Sequence, residues 1–268
     1  MPRFCANLTM LFPELPFLER FGAAKAAGFE GVEVLFPYDC PAPQILERLD
    51  RTGLRLVLIN CPPPNYADGP RGFAAVPALE DRFRSDFRRA ARYAATLGAQ
   101  HLHVMAGVAE GSEARACFVR NLTWAATAAP SLSLTIEPIN GHDMPGYFLR
   151  DFGLAADLLE EVGAPNLRLQ FDAYHAHRIT GDVMGTWDRV RHLVAHVQVA
   201  GVPGRHEPSK GEIDYPAFFA RLDAEGYGGW VSGEYNPKGL TREGLAWMQQ
   251  GAPHPGRSPG RDAPSRLA

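Results

Sequence analysis

The sequence predicts one α/β domain, a closed (β/α)8 TIM barrel, and three observations lead to this fold class. Eight short runs rich in β-branched residues alternate with Ala-, Leu- and Arg-rich stretches of helical period, a pattern typical of parallel strands joined by crossover helices. Several helical stretches end at a glycine before the next strand, as in AAGFEGVEV, TGLRLVL and LGAQHLHV. Neither G-x-G-x-x-G after the first strand nor G-x-x-x-x-G-K-[ST] occurs, so a nucleotide-binding sheet is disfavoured.

The individual elements follow in order along the chain. We predict the strands at 4–8 (FCANL), 31–35 (GVEVL), 55–60 (RLVLIN), 101–105 (HLHVM), 133–137 (SLTIE), 168–172 (RLQFD), 194–199 (VAHVQV) and 230–234 (WVSGE). We predict the helices at 15–27, 43–51, 78–97, 113–128, 152–162, 182–191 (irregular), 215–225 and 240–248. The barrel domain is therefore expected over 1–250. The tail, 251–268, is rich in Pro, Gly and Arg, and we expect it to be disordered.

The composition excludes several classes of function. The formal net charge of −3 provides no basic surface for nucleic acid or an anionic membrane. The four cysteines are scattered without a C-x-x-C pair, so neither a zinc knuckle nor a disulfide framework is indicated. No apolar run is long enough to span a membrane, and the N-terminus does not resemble a secretory signal, so we expect a cytoplasmic protein.

Oxygen-bearing side chains stand at four consecutive predicted strands. Strand five ends at Glu137, strand six at Asp172, strand seven carries Gln198, and strand eight ends at Glu234. The carboxyl ends of barrel strands converge on one mouth, where catalytic groups lie. Three acids there would raise one another's pKa unless a cation offsets their charge. Oxygen donors suit Mg²⁺ or Mn²⁺, so the pattern predicts a divalent metal site.

Simpler explanations of the same residues stay open. A carboxylate at a strand end is often a helix N-cap or an ion-pair partner. Gln198 lies in VAHVQVAG, which otherwise indicates a buried strand, and a buried amide without hydrogen-bond partners is costly. Its amide therefore binds either the metal, or a side chain of a neighbouring strand, or a water molecule.

Two more side chains are candidates for substrate contact. Arg205 lies in the loop after strand seven, GVPGRHEPSKGEID, where its guanidinium would hold a carboxylate or phosphate through two hydrogen bonds or else remain solvated. His175 follows Asp172 by three residues, in the turn that leaves strand six. It would face the substrate or support a carboxylate.

Strand four and the segment after strand three raise two further expectations. Segment 60–78 is long and rich in Pro and Gly, so we expect it to cover the site as a lid. His101 and His103 alternate along strand four. We expect one to face the barrel and one the helices, with at least one of them structural.

Several stretches around these residues resemble the hydroxypyruvate isomerase family, a branch of the xylose isomerase-like (β/α)8 barrels. The matching stretches are IEPIN (136–140), FDAYH (171–175), HVQVAGVPGRHEP (196–208), GEIDY (211–215) and GWVSGEYNP (229–237). They are long and keep their order, and the similarity extends over roughly residues 3–249.

The resemblance implies a metal held by Glu137, Asp172, Gln198 and Glu234, with Glu137 and Glu234 as the acid/base pair. Hydroxypyruvate would be converted to 2-hydroxy-3-oxopropanoate by proton transfer through a cis-enediolate. Arg205 would hold the substrate carboxylate, and His175 would contact a substrate oxygen. Ketose 3-epimerases and endonuclease IV usually carry histidine at the strand-seven position, so the amide of Gln198 resembles the hydroxypyruvate isomerase branch.

Other activities stay open. The resemblance implies four-carbon 2-oxo-tetronates as alternative substrates, and one more hydroxymethylene discriminates by only about 1–3 kcal/mol. A ketose 3-epimerase, a hydrolase similar to apurinic endonucleases and a non-catalytic binding barrel are further alternatives. A Schiff-base aldolase is disfavoured, since no lysine lies at a predicted strand end. The partner is thus expected to be a small molecule, and the sequence leaves a homo-oligomer open.

Overall fold

The computed structural model describes residues 2–61, 71–209 and 211–249, and these residues form a closed barrel of eight parallel strands. The strands are β1 (Arg3–Asn7), β2 (Gly31–Val34), β3 (Arg55–Asn60), β4 (His101–His103), β5 (Ser133–Ile136), β6 (Leu167–Asp172), β7 (Val194–Val199) and β8 (Trp230–Gly233). Neighbours in sequence are neighbours in the barrel, and β8 pairs with β1 to close it. The predicted fold class is confirmed.

Helices connect the strands on the outside of the barrel. They are α1 (Phe17–Ala26), α2 (Ala42–Thr52), α3 (Glu80–Leu97), α4 (Gly111–Ala128), α5 (Phe152–Val162), α6 (Ala173–Thr180), α7 (Val183–Val190) and α8 (Tyr215–Ala224). Short 3-10 helices lie at Pro37–Asp39, Pro77–Leu79 and Arg191–Leu193, and a longer one at Thr241–Gln249. Glycines end several of the helices as predicted: Gly53 after α2 and Gly98 after α3 adopt the left-handed conformation, with φ of 66° and 64°.

The structure differs from the prediction in a few elements. Helix α6 was predicted as a turn, but the side chain of Asp172 accepts hydrogen bonds from the backbone of Tyr174 and His175 and so caps a helix there. The last predicted helix is a 3-10 helix. Strands β5 and β8 end one residue before Glu137 and Glu234. The predicted tail 251–268 and the central part of the predicted lid, 62–70, lie outside the described residues.

Polar side chains fill much of the barrel interior, which in most (β/α)8 barrels is packed with branched apolar residues. The fully or almost fully buried ones include Asn7, Glu33, His101, His103, Thr135, Gln170, His196, Gln198 and Ser232. The expectation that His101 and His103 face opposite sides was wrong, because residues two apart in a strand point to the same face. Both rings are buried, and the ring of His101 lies 5.7 Å from that of His196.

The apolar core lies between the strands and the helices. Phe171 on β6 illustrates it: its ring contacts those of Phe152, Trp187 and Phe218 at centroid distances of 5.5, 5.3 and 5.9 Å. Such offset and edge-to-face contacts add to the free energy of apolar burial. Across the three described ranges, no helix combines the length and the apolar character that a membrane crossing requires.

Candidate active site

The four strand-end residues predicted from the sequence meet at one mouth of the barrel. Asp172 and Gln198 are fully buried, and Glu137 and Glu234 are 5% and 7% exposed. Asp172 and Gln198 are paired in register on β6 and β7, and Gln198 is paired in turn with Ser232 on β8. This register places Asp172, Gln198 and Ser232, on three neighbouring strands, at the same level along the barrel axis.

Asp172 has two functions in this geometry. Its Oδ1 accepts hydrogen bonds from the backbone N–H groups of Tyr174 at 2.7 Å and His175 at 3.3 Å. Its Oδ2 lies 3.4 Å from Nη2 of Arg205 and 3.7 Å from Nε2 of His175. Oδ1 of Asp172 thus caps helix α6, as the simpler explanation of this residue proposed. Oδ2 faces the mouth of the barrel.

Glu137 lies directly beyond β5, among donors of two neighbouring strands. Its Oε2 accepts a hydrogen bond from Nε2 of Gln170 at 3.0 Å and lies 3.6 Å from Nδ1 of His103. Its Oε1 lies 3.9 Å from Nε2 of His175. The carboxylate is therefore held from below by β6 and faces the mouth with its other oxygen.

Gln198 has protein partners for both ends of its amide. Its Nε2 donates to Oε1 of Glu33 at 2.9 Å, and its Oε1 accepts from Nε2 of Gln170 at 2.7 Å. Side chains of other strands therefore bind the Gln198 amide, which is one of the alternatives that the sequence left open. A carbonyl oxygen has two lone pairs, so the bond from Gln170 leaves one available for a cation.

Glu33 is a site residue that the sequence reasoning missed. It is fully buried on β2 and accepts hydrogen bonds from Asn7 at 2.8 Å and Gln198 at 2.9 Å, while His196 lies 2.7 Å from its other oxygen. Burial raises the pKa of Glu33, but hydrogen bonds from His196, Gln198 and Ser232 and the charge of His196 outweigh burial and lower it. The sequence contains a pattern that could have identified it. The single carboxylate in the apolar run GVEVL needs buried hydrogen-bond partners, as does the amide in VAHVQVAG.

His175 is held in one tautomer by the loop after β5. The backbone N–H of Asn140 donates to its Nδ1 at 3.3 Å, and the Asn140 side-chain nitrogen lies 2.7 Å from the same atom. A backbone N–H can only donate, so Nδ1 accepts and the ring proton resides on Nε2. Burial and the charge of Arg205 lower the pKa of His175 well below its usual value. The ring is therefore neutral, and its Nε2–H faces Glu137 and Asp172 at 3.9 and 3.7 Å, beyond hydrogen-bond distance.

Arg205 reaches over the mouth from the loop after β7. Its Nη2 contacts Glu234 Oε1 at 3.0 Å and Asp172 Oδ2 at 3.4 Å, and the guanidinium lies 5.1 Å from the centre of the Tyr174 ring. Its Nε is buried and has no hydrogen-bond partner among the residues that the structure describes. Arg205 thus links two of the carboxylates and keeps one donor free.

The electrostatics of the mouth favour a bound cation. Burial raises the pKa of Glu137, Asp172 and Glu234, in the case of Glu234 to about 8. The negative charges of Glu234 and Asp172 raise the pKa of Glu137 further. One arginine does not balance three carboxylates. Ligand atoms of Glu137, Asp172 and His175 lie within 4.8 Å of one another, close enough to surround one ion. Nε2 of His175 carries a proton and therefore has no lone pair to offer a cation. The carboxylate oxygens remain as candidate ligands, and oxygen ligands suit Mg²⁺ or Mn²⁺.

A cavity of about 170 Å³ opens onto Glu137, His175 and Glu234, whereas Asp172 is not among its lining residues. At about 30 Å³ per water molecule, it matches a small ligand. Its lining includes Leu35, Phe36, Asn60, Arg71, Met105, Glu137, Ile139, Asp143, Met144, Gln170, His175, Arg205 and Glu234. Arg71 was not singled out from the sequence. Lys210, in the loop of Arg205, lies outside the described residues.

The family model described as xylose isomerase-like TIM barrel matches residues 21–251. The 2-oxo-tetronate isomerase of Cupriavidus necator is 46% identical over 93% of this chain and 98% of its own length. The hydroxypyruvate isomerase of Escherichia coli is 39% identical over 92% of this chain and 98% of its own length. A crystal structure from Brucella melitensis, described as AP endonuclease, family 2, has a TM-score of 0.90 and 43% identity, covering 92% of this chain and 98% of that one.

Proposed function

This chain belongs to the xylose isomerase-like TIM barrel family and is an isomerase related to the hydroxypyruvate and 2-oxo-tetronate isomerases, and we propose that it isomerises a short hydroxy-oxo acid with a divalent cation. The observation that supports this proposal is a set of three buried carboxylates at the barrel mouth: Glu137 and Glu234 line one small cavity, and Arg205 bridges Glu234 to Asp172. A cytoplasmic location stays a prediction from the sequence.

The cation site that we propose consists of Glu137, Asp172, Glu234 and the remaining lone pair of the Gln198 amide oxygen. Such a set of oxygen donors suits Mg²⁺ or Mn²⁺. When bound, the ion supplies Lewis acidity at the carbonyl oxygen of the substrate. The hydrogen bonds of Gln170 to Glu137 and to Gln198 orient two of these donors, as partners of metal ligands commonly do.

Glu137 and Glu234 are the proposed acid/base pair. With hydroxypyruvate, one carboxylate removes a proton from C3 and the electron pair forms the C2–C3 double bond of an enediolate. A proton is then delivered to C2, and the hydroxyl proton moves from O3 to O2, which yields 2-hydroxy-3-oxopropanoate. The two glutamates follow β5 and β8, so they approach a substrate in the mouth from different sides. General acid/base catalysis of this kind contributes about 10²- to 10⁴-fold.

His175 and Arg205 are the proposed substrate contacts. The Nε2–H of neutral His175 can donate to the oxygen on which charge develops, and such preorganised donors act strongly in a buried site. Arg205 keeps Asp172 and Glu234 in place through Nη2. Its unpartnered Nε–H is available to a second substrate oxygen.

A 2-oxo-tetronate is the alternative substrate, favoured by the 46% identity to the enzyme of Cupriavidus necator. Its reaction would use the same two glutamates, because it has the same C2 carbonyl, C3 hydroxyl and C3–H, with a hydroxymethyl group in place of the second hydrogen at C3. The description of the Brucella melitensis structure as an AP endonuclease names a different activity. The net charge of −3 does not favour a nucleic-acid substrate for this chain.

The proposal is tested by NMR in D₂O with Mg²⁺ or Mn²⁺. Hydroxypyruvate, 2-oxo-tetronate and D-fructose are offered side by side to the wild type, to Glu234→Gln and to Glu160→Gln, an exposed glutamate on α5 that serves as the matched control. We expect deuterium to enter the carbon next to the carbonyl of an acid with the wild type and the control, and not with Glu234→Gln. Exchange into neither acid would refute the proposed function, and exchange into D-fructose alone would favour a ketose epimerase.

A further inference from the structure

Two arginines line the cavity, and they differ in the partners they have. Arg205 already contacts Glu234 and Asp172 through Nη2. Arg71 also lines the cavity and is exposed, and within residues 2–61, 71–209 and 211–249 it forms no ion pair or hydrogen bond, although its charge acts on Glu234. A guanidinium that lines a small polar cavity without a direct bond to any of the described carboxylates is available to an anionic ligand.

The two arginines come from opposite sides of the barrel. Arg71 belongs to the segment between β3 and α3, and Arg205 to the segment between β7 and α8. In the closed order β1 to β8, strands β3 and β7 are four strands apart, which is the greatest separation in this barrel. A short ligand bound between these two segments can therefore contact Arg205 on one side and Arg71 on the other.

The backbone that carries Arg71 is tightly packed. Gly72 has a φ of +92°, and a Cβ atom there would lie 2.5 Å from the carbonyl oxygen of Met105. Ala75 donates to the carbonyl oxygen of Ala106 at 2.8 Å, and Phe73 is 2% exposed. These contacts join the segment after Arg71 to the chain beyond β4. The position of Arg71 at the rim is thus set by a rigid anchor, while its side chain stays accessible.

Charge balance gives Arg71 a function that Arg205 does not fill. Glu137, Asp172, Glu234 and the cavity-lining Asp143 carry four negative charges, which Arg205 and one divalent cation reduce to a net charge of −1. An acid substrate adds a negative charge that these groups do not compensate, whereas a neutral ketose adds none. Asp143, which also lines the cavity, repels a carboxylate on its own side. The substrate carboxylate is therefore best accommodated beside Arg71.

We propose that Arg71 binds the carboxylate of the substrate and thereby makes the site select acids over neutral ketoses. This inference rests on the proposed function, since it assumes that the reacting groups bind at the three carboxylates. It assigns to Arg71 the interaction that the sequence alone assigned to Arg205. Arg205 then faces the reacting carbons, and Arg71 faces the carboxylate that is bonded to the reacting carbon C2.

The test compares each acid with the neutral ketose of the same carbon number. Hydroxypyruvate is paired with dihydroxyacetone and 2-oxo-tetronate with erythrulose, because each pair differs only in carboxylate against hydroxymethyl. Wild type, Arg71→Gln, Arg71→Lys and the control Arg55→Gln are assayed with Mn²⁺. Arg55 is exposed at the start of β3, at the other end of the barrel. Mn²⁺ affinity, followed by water-proton relaxation, reports whether the cation site is intact.

We expect Arg71→Gln to raise KM for the acids about 10- to 100-fold, the loss that corresponds to one or two charge-assisted hydrogen bonds. Its kcat should stay within about threefold, because the interaction is made equally in ground and transition states. KM for the ketoses and Mn²⁺ affinity should not change. Arg71→Lys should restore part of the acid KM, and Arg55→Gln should resemble the wild type.

The outcomes separate the two proposals. Turnover of an acid by the wild type with the same KM in Arg71→Gln would overturn the assignment of Arg71 and leave the proposed function standing. A lower kcat at unchanged KM would also overturn it. No turnover of either acid by the wild type would overturn both. If the wild type does not act on the ketoses, the acids alone test the assignment of Arg71: it requires that Arg71→Gln raise KM for the acids while kcat stays within about threefold.

Discussion

The side-chain Nε2 of Gln198 donates a hydrogen bond of 2.9 Å to Oε1 of Glu33, and this bond determines which way the Gln198 amide points. Glu33 lies on β2 and Gln198 on β7, so the bond crosses the interior of the barrel. An ionised carboxylate can only accept, so the NH₂ group must face Glu33. The amide oxygen is thereby turned away from Glu33, toward Gln170 and the strand ends.

The first prediction concerns Glu33→Gln. A glutamine at this position can donate as well as accept, so the direction of the Gln198 amide is no longer imposed. We expect Mn²⁺ affinity to fall about 10- to 100-fold, the range seen when partners of metal ligands are removed. The measurement is a Mn²⁺ titration by water-proton relaxation. Glu30→Gln is the matched control, because Glu30 is exposed just before β2. Equal affinities of both variants for Mn²⁺ would refute the orienting function of Glu33.

The second prediction separates the two glutamates. Glu137→Gln and Glu234→Gln should each lower kcat at least about 10²-fold. The variant that lacks the base for C3 of hydroxypyruvate should also lose deuterium exchange at C3, whereas the other should exchange without forming product. The measurement is NMR of hydroxypyruvate in D₂O. Full activity of either variant would exclude that glutamate from the acid/base pair.

The third prediction concerns His175. Because its Nε2 carries the proton, we predict that it contacts substrate and does not bind the cation. His175→Gln should lower kcat about 10- to 1,000-fold, as loss of a donor to a developing oxyanion does, and leave Mn²⁺ affinity unchanged. Steady-state kinetics and a Mn²⁺ titration of the same preparation provide the test. A parallel loss of Mn²⁺ affinity would instead identify His175 as a metal ligand.

The fourth prediction is a pH dependence of stability. The pKa of Glu234 is raised from 4.5 to about 8, chiefly by burial. A carboxyl with a raised folded-state pKa prefers its protonated form in the native state, so the metal-free protein should lose stability as the pH rises from about 4.5 to 8. A cation offsets the charge of the ionised form. Mn²⁺ should therefore raise the Tm more at pH 8.5 than at pH 6, measured by thermal unfolding.

Two comparisons check this pH dependence. In Glu234→Gln the group no longer titrates, so the Mn²⁺-induced change in Tm should depend less on pH than in the wild type. The exposed control Glu160→Gln should retain the wild-type dependence. A Mn²⁺ effect on Tm that is the same at pH 6 and pH 8.5 in the wild type would contradict the prediction.

The fifth prediction concerns the anchor of Arg71. Gly72→Ala places a Cβ 2.5 Å from the Met105 carbonyl oxygen and also requires a left-handed alanine, so we expect a loss of about 2–4 kcal/mol in the free energy of unfolding. Gly98→Ala is the control, because Gly98 is left-handed with no atom within 4 Å of the added Cβ, and it should cost only about 1 kcal/mol. Urea unfolding measures both. Equal losses would show that the close approach to Met105 does not matter.

Much of the site could be predicted because strand-end residues are readable from local patterns. Local patterns identify the β-strands that end at or next to Glu137, Asp172, Gln198 and Glu234. Because the strand ends of a closed barrel converge, these four side chains are expected to meet at one mouth. Glu33 and Gln170 were readable by the same reasoning, since each is a polar residue in a buried run. The prediction omitted them because each lies two residues before the end of its predicted strand, whereas Gln198 lies one residue before the end of strand seven.

The sequence by itself determined the barrel, its eight strands and the four strand-end residues at the mouth, because strand and helix periods and glycine stops are encoded by near neighbours. Only the tertiary structure decided that Gln198 binds Glu33, that Arg205 links Asp172 to Glu234, and that His175 carries its proton on Nε2. These relationships join residues far apart in the chain, 165 positions in the case of Gln198 and Glu33. Closing the barrel brings such pairs within hydrogen-bond distance, and no local pattern specifies which side chains then meet.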